Sequence, residues 1–154
     1  MKKHKMGALK IIGVFRRIYI VMLLPYTIML LYFMFIGFGR EQYEHHIVRL
    51  VPIASTFNFI TISWWKNSLI NVLGNIVMFI PYGFLGWIFP TCRNFKSLIF
   101  SFLSVLIIVE ALQYFTRLGV FDVDDFLLNT LGVRIGFGIW RRLENYSSGF
   151  SRQR

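Results

Sequence analysis

The chain has a single cysteine, Cys92, among 154 residues. It can form no internal disulfide and no zinc site of several thiolates, and Cys92 reads as an ordinary thiol near a helix end. Acidic residues are scarce too: seven Asp and Glu stand against 17 Lys and Arg, a net charge of +10. Charge of either sign is nearly missing from four long apolar stretches, and that absence excludes an ordinary soluble single-core domain. What fills these stretches is 56% hydrophobic residues overall, 17 of them Phe. A strongly basic chain can bind nucleic acid. Here the basic residues flank the apolar runs and form no dense patch, so membrane lipids with anionic headgroups are the expected partner and nucleic acid is not.

The apolar runs predict an all-α integral membrane protein, a four-helix transmembrane bundle forming one domain over residues 1–154. Span one is Ile18–Phe38, with Pro25 inside it. It is too long for a signal-peptide core and no small-x-small site closes it, so it is expected to stay uncleaved. Span two is Leu69–Phe89, with Pro81 toward its end, and span three is Leu98–Phe115. Span four, Phe126–Trp140, is short, and a start at Val123 is an alternative.

Basic residues set the orientation. The N-terminal tail holds six, the 90–97 loop holds Arg93 and Lys96, and the C-terminal tail holds Arg141, Arg142, Arg152 and Arg154. Against these twelve, the two other loops hold four: Arg40, Arg49, Lys66 and Arg117. Both termini are therefore expected in the cytoplasm of a bacterium. Trp64 and Trp65 before span two, and Trp87 and Trp140 at the inner ends of spans two and four, fit the aromatic belts of the two interfaces. The outer 39–68 loop is semi-polar and too short for a domain; a re-entrant or interface-lying course is open to it. His45 and His46 read as loop residues with diverging side chains.

Polar residues recur inside the spans at helical spacing. At about 100° per residue, Asn71, Asn75, Met78 and Tyr82 share one stripe of span two. Asp125, Asn129, Gly132 and Gly136 share a stripe about 60° wide on span four, where the glycines allow close helix approach. Span three carries Glu110 and Gln113 one turn apart. At 1.5 Å per residue, Glu110 lies about 8 Å and Asn129 about 5 Å below the outer ends of their spans. Three helices are thus expected to turn these groups, with Asp122, into one outward-facing polar cluster. The bland alternative is that they only hydrogen-bond across helices and hold the bundle together; an ionisable Glu in a span favours function. In the 116–125 loop, Asp125 is placed to cap span four. A divalent ion on Asp122, Asp124 and Asp125 is the weaker reading, because the spacing lacks the Gly and distal Glu of a calcium loop. No metal or cofactor is expected. Arg134, nine residues after Asp125, points away from that stripe and is expected to snorkel toward cytoplasmic headgroups.

This ordered set resembles the VanZ-like family, whose pattern runs N-x-x-x-N-x-x-x-F-x-P-x-G, then E-x-x-Q, then D-x-x-x-N-x-x-G-x-x-x-G. The chain supplies Asn71, Asn75, Phe79, Pro81 and Gly83, then Glu110 and Gln113, then Asp125, Asn129, Gly132 and Gly136, with Asp122 just ahead. It departs at the family's N-L-x-P-F loop motif, which reads Arg49-Leu50-Val51-Pro52-Ile53, and at Arg134. The resemblance implies a multi-pass cytoplasmic-membrane protein and, for the family's named member, low-level resistance to teicoplanin, a lipid-tailed glycopeptide. The expected function, non-enzymatic or of unknown chemistry, is therefore to alter how lipoglycopeptides engage the outer membrane face or its cell-wall precursors. Glu110, Gln113, Asp125 and Asn129 would be the working groups, with Asn71 and Asn75 orienting them. Two rivals stay open: an intramembrane enzyme acting on a lipid-linked cell-wall intermediate, with Glu110 in proton transfer, and a small transporter that would need an oligomer.

Overall fold

A computed structural model describes residues 2–37, 41–49 and 65–151. Arg40, Trp64, Arg152, Arg154 and the loop motif beyond Arg49 lie outside these residues, as does the side chain of Asn71. The described chain is mostly helical. It holds α1 (Lys2–Phe35), β1 (Val48–Arg49), α2 (Trp65–Phe79), a 3-10 helix (Ile80–Trp87), a 3-10 turn (Pro90–Arg93), α3 (Phe95–Thr116), β2 (Phe121–Asp122) and α4 (Val123–Ser151). The short β1 and β2 pair in parallel, Val48 opposite Phe121 and Arg49 opposite Asp122. Among the described residues this pairing is the one strand contact in an otherwise helical fold.

The first helix is longer than the apolar run that predicts it. It begins at Lys2, so the basic stretch ahead of Ile18 is helical and not a tail. Lys, Met, Ala and Leu in that stretch are strong helix formers, which lets the helix extend past the apolar boundary. Pro25 removes one backbone bond without ending the helix, and the Thr27 hydroxyl donates back to the Leu23 carbonyl at 2.8 Å.

The second apolar run is not one α-helix. It changes to 3-10 winding at Ile80, because Pro81 has no N–H to donate and its ring crowds the preceding turn. The Met78 carbonyl, three residues before Pro81, accepts instead from Tyr26 of α1 at 2.6 Å, and Tyr19 of α1 donates to the Pro81 carbonyl at 3.0 Å. Arg16 reaches the Trp87 carbonyl at 3.2 Å. The two prolines thus mark where α1 is tied to its neighbour.

Glycines make the seam between this segment and α4. A methyl group on Gly132 would run into the Ile76 carbonyl, one on Gly136 into the Ile80 carbonyl, and one on Gly83 into the backbone of Gly136 and Phe137. The backbones are in contact there, and only glycine fits. Around the seam lies the core of Leu30, Phe79, Cys92, Leu98, Phe102, Leu106 and Val133, with Phe79, Tyr82 and Phe102 in mutual ring contact.

The outward surfaces are apolar. Leu127, Leu131, Ile135 and Ile139 form an exposed stripe on α4, opposite buried Asn129, Val133 and Trp140. Arg134 is exposed on that outward side. Two helices among the described residues are long and apolar enough to cross a membrane, Leu9–Phe35 and Phe95–Thr116, each with mean hydropathy 2.1.

Candidate functional site

The site forms where α1 and α3 end and α4 begins. Glu110 and Gln113 sit in the last two turns of α3, both buried. That helix stops at Arg117, which adopts the left-handed conformation (φ 58°) and closes the last turn through its N–H. Only a short link then separates it from β2. Asp122 ends β2 and starts α4, and its Oδ1 accepts from the Asp124 N–H at 2.9 Å. The N-cap is therefore Asp122 and not Asp125: α4 starts at Val123, so Asp125 already lies inside the first turn. There it still faces the positive end of the helix dipole.

Asp125 is held by α2, since the Asn75 side-chain amide donates to its Oδ1 at 2.7 Å. Gln113 ties α3 to α1, its Nε2 donating to the Met34 carbonyl at 2.9 Å. Met34 lies in the last turn of α1, where carbonyls have no helical donor, so Gln113 satisfies one of them. Asn129, one turn below Asp125, is 2% exposed, and its Oδ1 has no hydrogen-bond partner among the described residues.

The segment before β1 covers this end of the fold. The Tyr43 N–H donates to the Arg117 carbonyl at 2.9 Å, and Arg117 donates back to the Glu44 carbonyl at 3.3 Å. His46 lies on the Tyr114 ring and donates through Nδ1 to the Tyr114 carbonyl at 2.8 Å, a more defined role than that of a free loop residue. Arg49 approaches Asp122 at 3.7 Å. Asp122 thus caps α4 with one oxygen and faces a guanidinium with the other.

Together these elements enclose a cavity of about 660 Å³. Asn75, Glu110, Gln113, Asp122, Asp125 and Asn129 all line it, six of the seven polar residues singled out from the sequence. The seventh, Asn71, lies one turn before Asn75 on α2. Gly132 and Gly136 are not on its wall; they continue the Asp125 stripe into the glycine seam. The sequence reading missed four parts of the wall: Leu30 and Met34 from α1, the 41–44 segment, the 118–120 link, and, last, Arg49. The Arg at the head of the departing loop motif was the available signal for the last of these. Among the described residues no group of three His, Cys, Asp or Glu side chains is placed to hold a metal ion.

A family model described as VanZ/LLP1 matches residues 20–144. The chain belongs to the VanZ/LLP1 family. The matched region takes in α2 and α3 whole, most of α4, the second half of α1 from residue 20, and every cavity residue named above. No curated protein and no solved structure matches the chain. Family membership and two long apolar helices with outward-facing apolar surfaces together point to a membrane protein.

Proposed function

We propose that this VanZ/LLP1 family member crosses the bacterial cytoplasmic membrane four times with both ends in the cytoplasm, and that its cavity opens outward to engage an envelope molecule. On this reading it contributes to low-level resistance to teicoplanin. The observation that carries the reading is the cavity itself, large enough for a small-molecule ligand and bordered by six buried or half-buried polar residues, among them Asn129 with a buried Oδ1 that has no described partner.

Several features support the membrane placement. Only 6% of the apolar window of α1 and 22% of that of α3 is buried in the fold, whereas a soluble core helix would be mostly buried. At 1.5 and 2.0 Å per residue, α2 and the 3-10 helix together reach about 38 Å, enough for a hydrocarbon core of about 30 Å. Val123–Trp140 of α4 reaches about 27 Å. The basic residues Lys10, Arg16, Arg93, Arg141 and Arg142 gather at the end opposite the cavity, where the positive-inside rule favours the cytoplasm.

A second reading has one observation in its favour. Glu110 is 1% exposed and lines the cavity, as a proton-transferring group in an enzyme acting on a lipid-linked cell-wall intermediate would. The test of the favoured reading is a deletion strain complemented with the gene and compared against teicoplanin and vancomycin. A shift for teicoplanin alone supports it; equal shifts, or none at matched membrane abundance, overturn it.

A further inference from the structure

We propose that the cavity takes a polar head bearing a primary ammonium group, in preference to a purely anionic one. This rests on the reading of the cavity as a ligand site and adds the chemistry of what enters it.

The charge balance of the wall is the first observation. Among the described lining residues stand five carboxylates, Glu41, Glu44, Glu110, Asp122 and Asp125, against one guanidinium, Arg49. That guanidinium is already engaged with Asp122. The protein as a whole carries +10, so an acid-rich cavity runs against its composition. Glu41 and Glu44 are exposed, while Glu110 and Asp122 are buried. A negative field therefore stands at the mouth, where Glu41 and Glu44 are exposed, and low-dielectric walls focus such a field onto an entering charge.

The second observation concerns donors. Ionised carboxylates only accept hydrogen bonds. Asn75 directs one side-chain N–H to Asp125, Gln113 one to the Met34 carbonyl and Gln42 one to the Thr116 carbonyl, so each of these three amides turns a donor to the protein's own acceptors. Asn129 also borders the cavity, and its Oδ1, buried beneath the wall, has no partner among the described residues. The wall thus offers acceptors and negative charge. An ammonium group brings three N–H donors and a positive charge, which complements both. A free phosphate or pyrophosphate brings acceptors and negative charge, and repeats what is already there.

An ammonium group can arrive on a lipid headgroup or as a small free amine. Native mass spectrometry of the full chain in detergent, with equimolar phosphatidylethanolamine and phosphatidylglycerol of identical acyl chains, tests the proposal. The basic end of the protein will retain phosphatidylglycerol, so the reading is the change in the retained lipid ratio between wild type and variants. E110Q/D125N is expected to lower the ethanolamine-to-glycerol ratio about tenfold, equivalent to about 1.4 kcal/mol. E41Q/E44Q alters only exposed side chains and is expected to lower it about threefold, so it decides the matter if the first variant does not fold. A ratio that stays constant or rises in the folded variants overturns the proposal. Displacement of the bound lipid by free ethanolamine assigns recognition to the ammonium alone; retention assigns it to the tailed headgroup. Both outcomes keep ammonium as the recognised group. Cavity variants that keep full teicoplanin resistance but lose the lipid preference sink the resistance reading and leave this one. Lost resistance with an unchanged ratio does the reverse.

Discussion

Replacing Asn129 by Leu separates stability from function at the cavity. Asn129 is 2% exposed, and its Oδ1 has no partner among the described residues. Leaving a buried acceptor unmatched costs about 1–3 kcal/mol, whereas an apolar side chain of similar shape has no such cost. Leu is close to Asn in shape, and Phe79, beside Asn129 in the wall, gives it apolar company. The N129L protein is therefore expected to be more stable by about 1–2 kcal/mol. The measurement is reversible unfolding of the full chain in mixed detergent micelles, by intrinsic Trp fluorescence, beside the teicoplanin shift of a complemented strain. A more stable protein with a lost shift is the signature of a group kept for its ligand, because stability is commonly given up at such sites. If N129L is instead destabilised by more than about 1 kcal/mol, the oxygen serves the fold and the argument from it collapses. N129D keeps the size but adds a buried charge, and is expected to lose several kcal/mol, roughly the cost of an uncompensated buried ion.

The other expectations follow from the seams. An N75A/D125A double-mutant cycle should give a coupling of about 1–2 kcal/mol for the charge-assisted bond between α2 and α4, read from the same unfolding assay; additive single effects would remove the clamp from the account. Gly136→Leu puts a side chain where the Ile80 carbonyl already lies, so membrane abundance should fall severely, with a loss of at least about 3 kcal/mol; near-normal abundance would mean that the seam is looser than described. Tyr26→Phe removes the donor to the Met78 carbonyl beside Pro81 and should cost about 1 kcal/mol while leaving the teicoplanin shift intact, since Tyr26 is not on the cavity wall.

Sequence reasoning located elements best where a single physical signal set them. The apolar run Leu98–Phe115 lies within three residues of α3, because charge and the Asn94 cap bound it on one side and the turn at Arg117 on the other. The start of α4 at Val123 was visible as an alternative, once the short apolar run was set against the acidic turn ahead of it. Winding was harder to read. Nothing in hydropathy distinguishes an α-helix from the 3-10 segment that begins at Ile80 around Pro81, where hydroxyls of Tyr19 and Tyr26 meet carbonyls from across the fold. The β1–β2 pair is two residues long and far apart in sequence, so no alternation announces it. For the same reason Arg49 read as a loop cation and not as part of the cavity wall. The basic start of α1 was misjudged because charge marks where an apolar run stops, not where a helix does.

The polar residues of the spans divide into two kinds, and the division bears on what the cluster is for. Asn75 with Asp125, and Gln113 with the Met34 carbonyl, are bonds between helices of the sort that holds any membrane bundle together. If all the polar groups behaved this way, they would close on one another and leave no space. They do not: the same residues border an opening of about 660 Å³, and Asn129, one of them, keeps a buried oxygen that no described group meets. The glycine seam below explains how the opening persists. With Gly132 and Gly136 setting α4 against Ile76 of α2 and Ile80 of the 3-10 helix, and the Asn75–Asp125 bond bracing α4 to α2 about two turns before Gly132, the backbone is fixed at two levels. Collapse of the cavity would have to break one of them. The interhelical bonds and the seam thus act as supports, and the space they maintain is the feature that a purely structural polar cluster has no reason to contain.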